Sequence, residues 1–201
     1  MSAFLHSSGM NPDRALLRSA RHIASGIFDK AVQPGDSVVD ATLGTGQDCL
    51  RLAQLVGAGG RVYGFDVQEE ALRRTRERLQ QHGVAERAQL FLTSHAHMAD
   101  HVPPDIRLAA FNLGWLPGSD KQVTTRADST LMALNSALSL LAPFGVLVVC
   151  IYPGHPEGER EQAAILDWAA GLSPRDCTVL WHQFVNGGAG APSCLVVEKI
   201  R

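Results

Sequence analysis

The 201-residue sequence is poor in features that would place it outside the ordinary globular proteins. Aromatic residues make up 6% of the chain and charged residues 19%, and the formal net charge is −2. This charge excludes a global basic field of the kind that drives non-specific binding to nucleic acids. No stretch approaches the ~20 apolar residues of a membrane-spanning helix, and no basic segment precedes an apolar run near Met1. We therefore expect a cytoplasmic protein without a membrane partner.

Cysteine is also sparse, and its spacing argues against a metal centre. Cys49, Cys150, Cys177 and Cys194 form no Cys-x-x-Cys pair and no Cys/His cluster with zinc spacing. The paired histidines of the segment 94–97 are a competing metal site, but no acidic third ligand adjoins them. We expect reduced, buried thiols and no metal.

Strand-like and helical segments alternate along the chain, which indicates an α/β fold. The first predicted helix begins at Asn11-Pro12 and places Leu16, Ala20, Ile23 and Ile27 on one face. The loop between the last two predicted strands, 178–185 and 194–200, is too short for a helical crossover, so these strands must be antiparallel. We predict a single domain over residues 1–201, with loose residues 1–10 and a seven-stranded, mostly parallel sheet closed by an antiparallel C-terminal hairpin strand.

A glycine-bearing loop, from Asp40 to Asp48, lies between the first predicted strand and the helix after it. Gly44 and Gly46 would let the backbone approach a ligand closely, and the next helix offers free N–H groups. Asp66 ends the second predicted strand, where a carboxylate can accept hydrogen bonds from both ribose hydroxyls. The loop alone could be a plain tight turn. Together with the acid, it predicts a nucleoside site at the carboxyl ends of the first two strands.

Two residues decide which nucleoside is expected. Cys49 stands where the third glycine of a dinucleotide-binding Gly-x-Gly-x-x-Gly motif would be. Asp40 would repel a pyrophosphate but suits the positive amine and sulfonium of S-adenosylmethionine. We therefore predict S-adenosylmethionine, with Ser94 or His95 at the adenine edge. The predicted sheet has the outline of the class I S-adenosylmethionine-dependent methyltransferase fold.

The loop after the fourth predicted strand, from Phe111 to Lys121, has the position and shape of the Asn-Pro-Pro-Tyr loop of amino-methylating enzymes. Asn112 would be its leading asparagine and Trp115 its aromatic residue. A carbonyl oxygen at Asn112 can accept a hydrogen bond from an attacking amine and so align its lone pair. Trp115 could stack on a flat base or could be a core or rim tryptophan. These residues predict methylation of a polar acceptor, with an amine favoured.

Three motifs together resemble the small bacterial family described as rRNA methylases, over a stretch from about Ala31 to the end of the chain. They are Asp40-Ala41-Thr42 with Gly44, Gly46 and Asp48; Asn112-Leu113-Gly114-Trp115-Leu116-Pro117-Gly118 with Asp120 and Lys121; and Tyr152-Pro153-Gly154-His155-Pro156. That family includes a tRNA 5-aminomethyl-2-thiouridine methyltransferase. The resemblance therefore implies methylation of the aminomethyl nitrogen on the wobble uridine of tRNA, with the anticodon stem-loop as substrate.

The resemblance also implies roles for residues at matching positions. The donor pocket would be lined by Thr45, Gly46, Gln47, Asp48, Asp66, Gln68, Ser94 and His95, and the acceptor would be faced by Asn112, Trp115, Lys121, Thr125, Tyr152 and His155. His155 is the candidate proton acceptor, because an imidazole titrates near neutrality. Burial that lowers the pKa of the amine itself would make such a base dispensable. The chain departs from the family pattern at Glu157, where glycine is expected.

Other readings stay open at this point. The acceptor could be rRNA, a small-molecule amine or a protein amine, and the chain could also be a non-catalytic binding module of the same fold. We expect no appended RNA-binding domain, so the rim of this domain would hold the RNA, and a homodimer is one way to extend that rim. Arg14, Arg18 and Arg21 form one candidate basic face for guiding an RNA.

Overall fold

The computed structural model describes residues 19–114, 126–188 and 190–201. Helices and strands alternate through most of these residues. The helices are α1 (Ala20–Ala31), α2 (Gln47–Val56), α3 (Glu69–Gln81), α4 (Ala127–Leu140) and α5 (Pro156–Ala170). The strands are β1 (Ser37–Asp40), β2 (Arg61–Asp66), β3 (Ala88–Leu92), β4 (Ile106–Asn112), β5 (Leu141–Ile151), β6 (Cys177–His182) and β7 (Ser193–Lys199). Short 3-10 helices lie at Ala85–Arg87 and His95–Asp100.

The seven strands form one sheet in the order β3-β2-β1-β4-β5-β7-β6. Strands β1 to β5 are parallel to one another. Strand β7 runs antiparallel to both β5 and β6. The predicted α/β fold, with its mostly parallel sheet and antiparallel C-terminal hairpin strand, is confirmed. Within the described ranges, no helix is both long and apolar enough to cross a membrane.

Helices cover both faces of the sheet, as an all-parallel centre requires. On one face α1, α2 and α3 pack through residues such as Phe28 and Leu52 against Val38 of β1. On the other face α4 and α5 pack against the neighbouring Val39. Successive residues of a strand point to opposite faces, so Val38 and Val39 serve different cores. The central strands are therefore rigidly held, and their carboxyl ends share one edge.

The first helix begins later than the sequence pattern predicts. Ser19 is extended, with φ −163°, and its hydroxyl accepts a hydrogen bond from the N–H of His22. An extended cap residue cannot lie inside a helix, so the predicted continuous helix from Asn11 to Ile27 is wrong at Ser19. The buried face of α1 consists of Ala20, Ala24, Phe28 and Ala31. Ile23 and Ile27 are only half-buried, and residues 11–16 lie outside the described part of the chain.

Two other boundaries also differ from the prediction. Strand β5 begins at Leu141, directly after α4, and includes an irregular stretch in which Phe144 has a φ of +61°. The predicted strand held only its fully buried part, Val146–Ile151, because the exposed Pro143 and Phe144 interrupt the apolar run. Helix α5 begins at Pro156 rather than near Glu159, since proline is well suited to the first helical turn.

Candidate active site

A cavity of about 520 Å³ opens at the carboxyl ends of β1, β2, β4 and β5. The strand order reverses between β1 and β4, and ligands of open α/β sheets bind at such switch points. The volume lies in the range of roughly 300–1,000 Å³ that is typical of small-molecule pockets. The residues that line it include the segments 41–45, 47–48, 66–68, 94–95 and 112–114, together with Arg21, Tyr152 and His155.

The glycine-bearing loop after β1 supplies one wall of the cavity. Gly44 and Gly46 have φ values of +52° and +74°, which L side chains rarely adopt. A Cβ on Gly46 would lie 2.8 Å from Cα of Thr75, so α2 and α3 approach too closely there for any side chain. Helix α2 starts at Gln47, and no side chain in the described residues caps it. Its first N–H groups therefore remain available for a ligand.

Asp66 links the end of β2 to this loop. Its Oδ2 accepts a hydrogen bond from the N–H of Gly44 at 3.0 Å, and its Oδ1 accepts one from the N–H of Gln68 at 2.9 Å. Burial raises the pKa of Asp66, and these backbone donors counteract the rise. Each carboxylate oxygen can accept a second hydrogen bond, so the side chain is fixed and still has acceptor capacity on the cavity side.

Asp40 lies beneath the loop rather than on the cavity wall. It is 1% exposed and is absent from the lining residues, as is Gly46. Its Oδ1 accepts a hydrogen bond from the N–H of Thr42, while Oδ2 is buried without a hydrogen-bond partner among the described residues. Burial and the nearby charge of Asp48 raise the pKa of Asp40 to about 8. The predicted direct contact of Asp40 with a bound donor does not fit this placement.

Ser94 and His95 lie on the cavity wall after β3. The Ser94 hydroxyl accepts a hydrogen bond from the N–H of Ala96 and so caps the 3-10 helix that follows. Nδ1 of His95 lies 3.2 Å from the carbonyl oxygen of Ala41, which can only accept, so this nitrogen carries the proton. The ring packs beside Phe111, and burial lowers the pKa of His95. His95 is therefore a neutral side chain that also holds the loop in place.

Asn112 ends β4 and points into the cavity. Its N–H donates to Oγ1 of Thr42 at 2.6 Å, which anchors the backbone. Its side-chain Nδ2 donates to Oδ2 of Asp48, and its Oδ1 lies 3.4 Å from the hydroxyl of Tyr152. Burial raises the pKa of Tyr152, so that hydroxyl stays protonated and can donate. The structure thus brings together Asp48, predicted for the donor side, with Asn112 and Tyr152, predicted for the acceptor side.

Arg21 is a cavity residue that the sequence pattern assigns elsewhere. Its Nη2 lies 2.9 Å from Oδ1 of Asp48 and 3.2 Å from Oε1 of Gln47. The prediction placed Arg21 on a basic surface that would guide an RNA, together with Arg14 and Arg18, which lie outside the described residues. An arginine on a helix far from the loops carries no local signal for a site; only the packing of α1 beside α2 brings it there.

His155 serves as the N-cap of α5. Its Nδ1 accepts a hydrogen bond from the N–H of Gly158 at 3.1 Å. A neutral imidazole whose Nδ1 accepts must carry its proton on Nε2, so it cannot take up a further proton through Nε2. The predicted role of His155 as proton acceptor does not fit this hydrogen bond. Glu157, the departure from the family pattern, lies in the first turn of α5 and pairs with Arg160 at 3.6 Å.

Some predicted residues lie beyond what the structure describes, and some lining residues were not predicted. Trp115, Lys121 and Thr125 fall in the segment 115–125, outside the described ranges. Besides Arg21, the lining residues that lie outside the loops and motifs singled out in the sequence are Val67, Ser129, Gly190 and Pro192. Those near the C-terminus reach the cavity only because β7 pairs with β5. Among the described residues, no group of three or more His, Cys, Asp or Glu side chains is placed to hold a metal ion.

Comparison with known proteins identifies the family. A family model described as Putative rRNA methylase matches residues 62–198. The chain belongs to this family. The resemblance noted in the sequence motifs is confirmed.

Three relatives show how far the similarity extends. The chain is 36% identical over 179 residues to the chloroplastic tRNA (mnm(5)s(2)U34)-methyltransferase of Arabidopsis thaliana, a match that covers 84% of the chain. That match spans 65% of the plant protein's length. The crystal structure of a putative rRNA-methylase from Clostridium thermocellum is 33% identical in sequence and has a TM-score of 0.89. The match covers 91% of this chain and 98% of the Clostridium thermocellum chain.

The third relative bears on the cofactor. It is a putative methyltransferase from Streptococcus mutans, solved in complex with SAH, with 32% identity and a TM-score of 0.83, covering 90% of this chain and 98% of its own. The predictions of a methyltransferase and of S-adenosylmethionine as its methyl donor are confirmed at the level of the family.

Proposed function

We propose that this protein is an S-adenosylmethionine-dependent N-methyltransferase that converts 5-aminomethyl-2-thiouridine to 5-methylaminomethyl-2-thiouridine at wobble position 34 of tRNA. The observation that carries this proposal is the side chain of Asn112, which faces the cavity with its Oδ1 directed away from Asp48. The name of the Arabidopsis relative, which specifies this uridine, supports the choice of substrate.

The donor end of the cavity fits S-adenosylmethionine. Gly44 lies on the cavity wall with a φ of +52°, which L side chains rarely adopt, and Asp66 has acceptor capacity for ribose hydroxyls. Gln68, Ser94 and His95 also line the cavity, and we propose that they contact the base and sugar of the donor. When bound, the donor supplies an electrophilic methyl group on a positively charged sulfonium. The chain's own contribution is to hold that group at the edge of β1 and β4.

The acceptor end acts mainly through position. Oδ1 of Asn112 would accept a hydrogen bond from the attacking aminomethyl nitrogen, which aligns the nitrogen lone pair. An ammonium must lose a proton before it attacks, and the cap hydrogen bond of His155 leaves that ring unsuited to accept it. We propose instead that desolvation in the cavity lowers the pKa of the amine, so that it enters as the neutral form.

The decisive test uses total RNA from cells that lack the 5-methylaminomethyl modification. The protein and isotope-labelled S-adenosylmethionine are added, and the nucleosides are analysed by mass spectrometry. We expect a one-methyl mass gain on the wobble uridine, strongly reduced but still measurable in Asn112→Ala and retained in full in the surface variant Asp29→Asn. Label in rRNA, or in small-molecule or protein amines, would contradict the tRNA assignment. Donor binding without any transfer would favour a non-catalytic module.

Three further predictions accompany this proposal. The anticodon stem-loop is the expected RNA partner, held by the rim of a single domain. Association as a homodimer and localisation in the cytoplasm stay predictions from the sequence, and each has a direct measurement in light scattering and in cell fractionation.

A further inference from the structure

We infer that Asp48 is a positioning residue that fixes the orientation of the Asn112 carboxamide, and that Arg21 holds Asp48 in place for this task. The inference rests on the proposed function, because the orientation of Asn112 matters only if an acceptor nitrogen is methylated beside it. The sequence motifs placed Asp48 among the residues of the donor pocket. The inference assigns it to the acceptor side instead.

The carboxamide of Asn112 has two possible orientations. The oxygen and nitrogen of an asparagine side chain have nearly the same shape, so packing alone does not select which of them faces a given wall. An ionised carboxylate can only accept hydrogen bonds. The atom of Asn112 that faces Oδ2 of Asp48 must therefore be Nδ2, and Oδ1 must face the other way.

The other contacts of Asn112 do not make this choice. The bond from its N–H to Oγ1 of Thr42 fixes the backbone but not the side-chain flip. The Tyr152 hydroxyl, 3.4 Å from Oδ1, can donate to an oxygen or accept from an NH₂ group. Among these contacts, only the carboxylate of Asp48 selects the orientation that leaves an acceptor oxygen for the substrate amine.

Arg21 fixes Asp48 from the opposite side. Its Nη2 donates to Oδ1 at 2.9 Å, so the two carboxylate oxygens of Asp48 have separate partners. The Asp48 side chain is only 17% exposed, so the pair is shielded more than a surface ion pair. The chain also provides an internal control, because Asp29 of α1 and Arg51 of α2 form a second, more exposed pair between the same two helices.

The test is the variant Asp48→Asn, which keeps the shape of the side chain. In the parent, one carboxylate oxygen accepts from Arg21 and the other from Asn112, whereas the variant has a single acceptor oxygen. If that oxygen stays with Arg21, the new NH₂ group faces Asn112 and turns its carboxamide over, so that Nδ2 replaces Oδ1 at the substrate. We expect kcat on the unmodified tRNA to fall roughly 10- to 100-fold. The Kd for S-adenosylmethionine, measured by calorimetry, should stay within about twofold of the parent value. The control Asp29→Asn should leave kcat within about twofold.

Two further measurements separate positioning from a general structural effect. In an Asn112→Ala background, Asp48→Asn should cause little additional loss of kcat, because the residue through which it acts is gone. The side-chain amide resonance of Asn112 in NMR spectra should shift in Asp48→Asn and not in Asp29→Asn. Arg21→Met should lower kcat less than Asp48→Asn does, and should add little to it in the double variant.

Several results would overturn the inference. These are a weakened Kd for the donor at unchanged kcat in Asp48→Asn, fully additive losses with Asn112→Ala, or an unshifted Asn112 resonance. A parent protein that methylates no tRNA would instead contradict the proposed function. The NMR measurement would then still decide whether Asp48 orients Asn112.

Discussion

Replacement of Gly46 by alanine tests whether the glycine loop is required by its geometry. The residue has a φ of +74°, and the left-handed region costs an L side chain about 1–2 kcal/mol. The added Cβ would also lie 2.7 Å from Oγ1 and 2.8 Å from Cα of the fully buried Thr75, so backbone as well as side chain must move. Such overpacking typically costs about 1–3 kcal/mol. We expect Gly46→Ala to lower the free energy of unfolding by about 2–5 kcal/mol.

Gly83 offers a matched control for the conformational part of this cost. Its φ is +65°, yet nothing lies within 4 Å of the position that a Cβ would take. Gly83→Ala should therefore cost only about 1–2 kcal/mol. Urea unfolding of both variants, followed by circular dichroism, gives the difference directly. If Gly46→Ala and Gly83→Ala lower the free energy of unfolding by amounts that agree within about 0.5 kcal/mol, the close approach of α2 and α3 is not what makes Gly46 necessary.

Three other predictions concern individual side chains. Asp66→Asn places an NH₂ group against one of the two backbone donors at Gly44 and Gln68, so calorimetry should show the donor Kd rising roughly 10- to 100-fold; an unchanged Kd would exclude Asp66 from the donor site. His155→Ala should cost about 1 kcal/mol of stability through loss of the cap, His155→Asn should restore it, and both should keep the parent pH–rate profile; loss of the alkaline plateau in both would restore the base role. Because burial raises the pKa of Asp40 to about 8, its contribution to stability is greatest at acid pH and is lost as pH rises from about 4 to 8. Asp40→Asn should therefore be more stable than the parent near pH 8, with the gap closing toward pH 5 in urea unfolding.

The fold could be predicted from the sequence because its determinants are local. Continuous apolar strands, turn residues between them and a short last loop were enough to predict a mostly parallel sheet with an antiparallel strand at its C-terminal end. Boundaries were predicted less well where one side chain decides them. The hydroxyl of Ser19 caps α1 and so sets where this helix begins. The positive φ of Phe144 interrupts the regular strand pattern, so the first residues of β5 were not predicted.

The site could be predicted only in part because its contacts are not local. The loop at Gly44 and Asp66 could be found because each sits at a strand end, and strand ends of a parallel sheet share one edge. The pair of Arg21 with Asp48 joins residues 27 apart, and the contact of Asp48 with Asn112 joins residues 64 apart. No spacing rule predicts such contacts. The same holds for burial, which moved Asp40 from the cavity wall to the layer beneath it.

The reversed direction of β7 has a consequence for how substrate choice could diverge within this architecture. The last residues of β5 lie at the edge of the sheet where the cavity opens. Because β7 is antiparallel to β5, the first residues of β7 lie at the same edge. The connection ahead of Ser193, including Gly190 and Pro192, thus borders the opening. The paired residues of β5 and β7 end at Ile151 and Ser193, so this connection lies outside the sheet. Insertions or deletions there could reshape the entrance for a bulkier or slimmer acceptor while the methyl-donor chamber stays as it is.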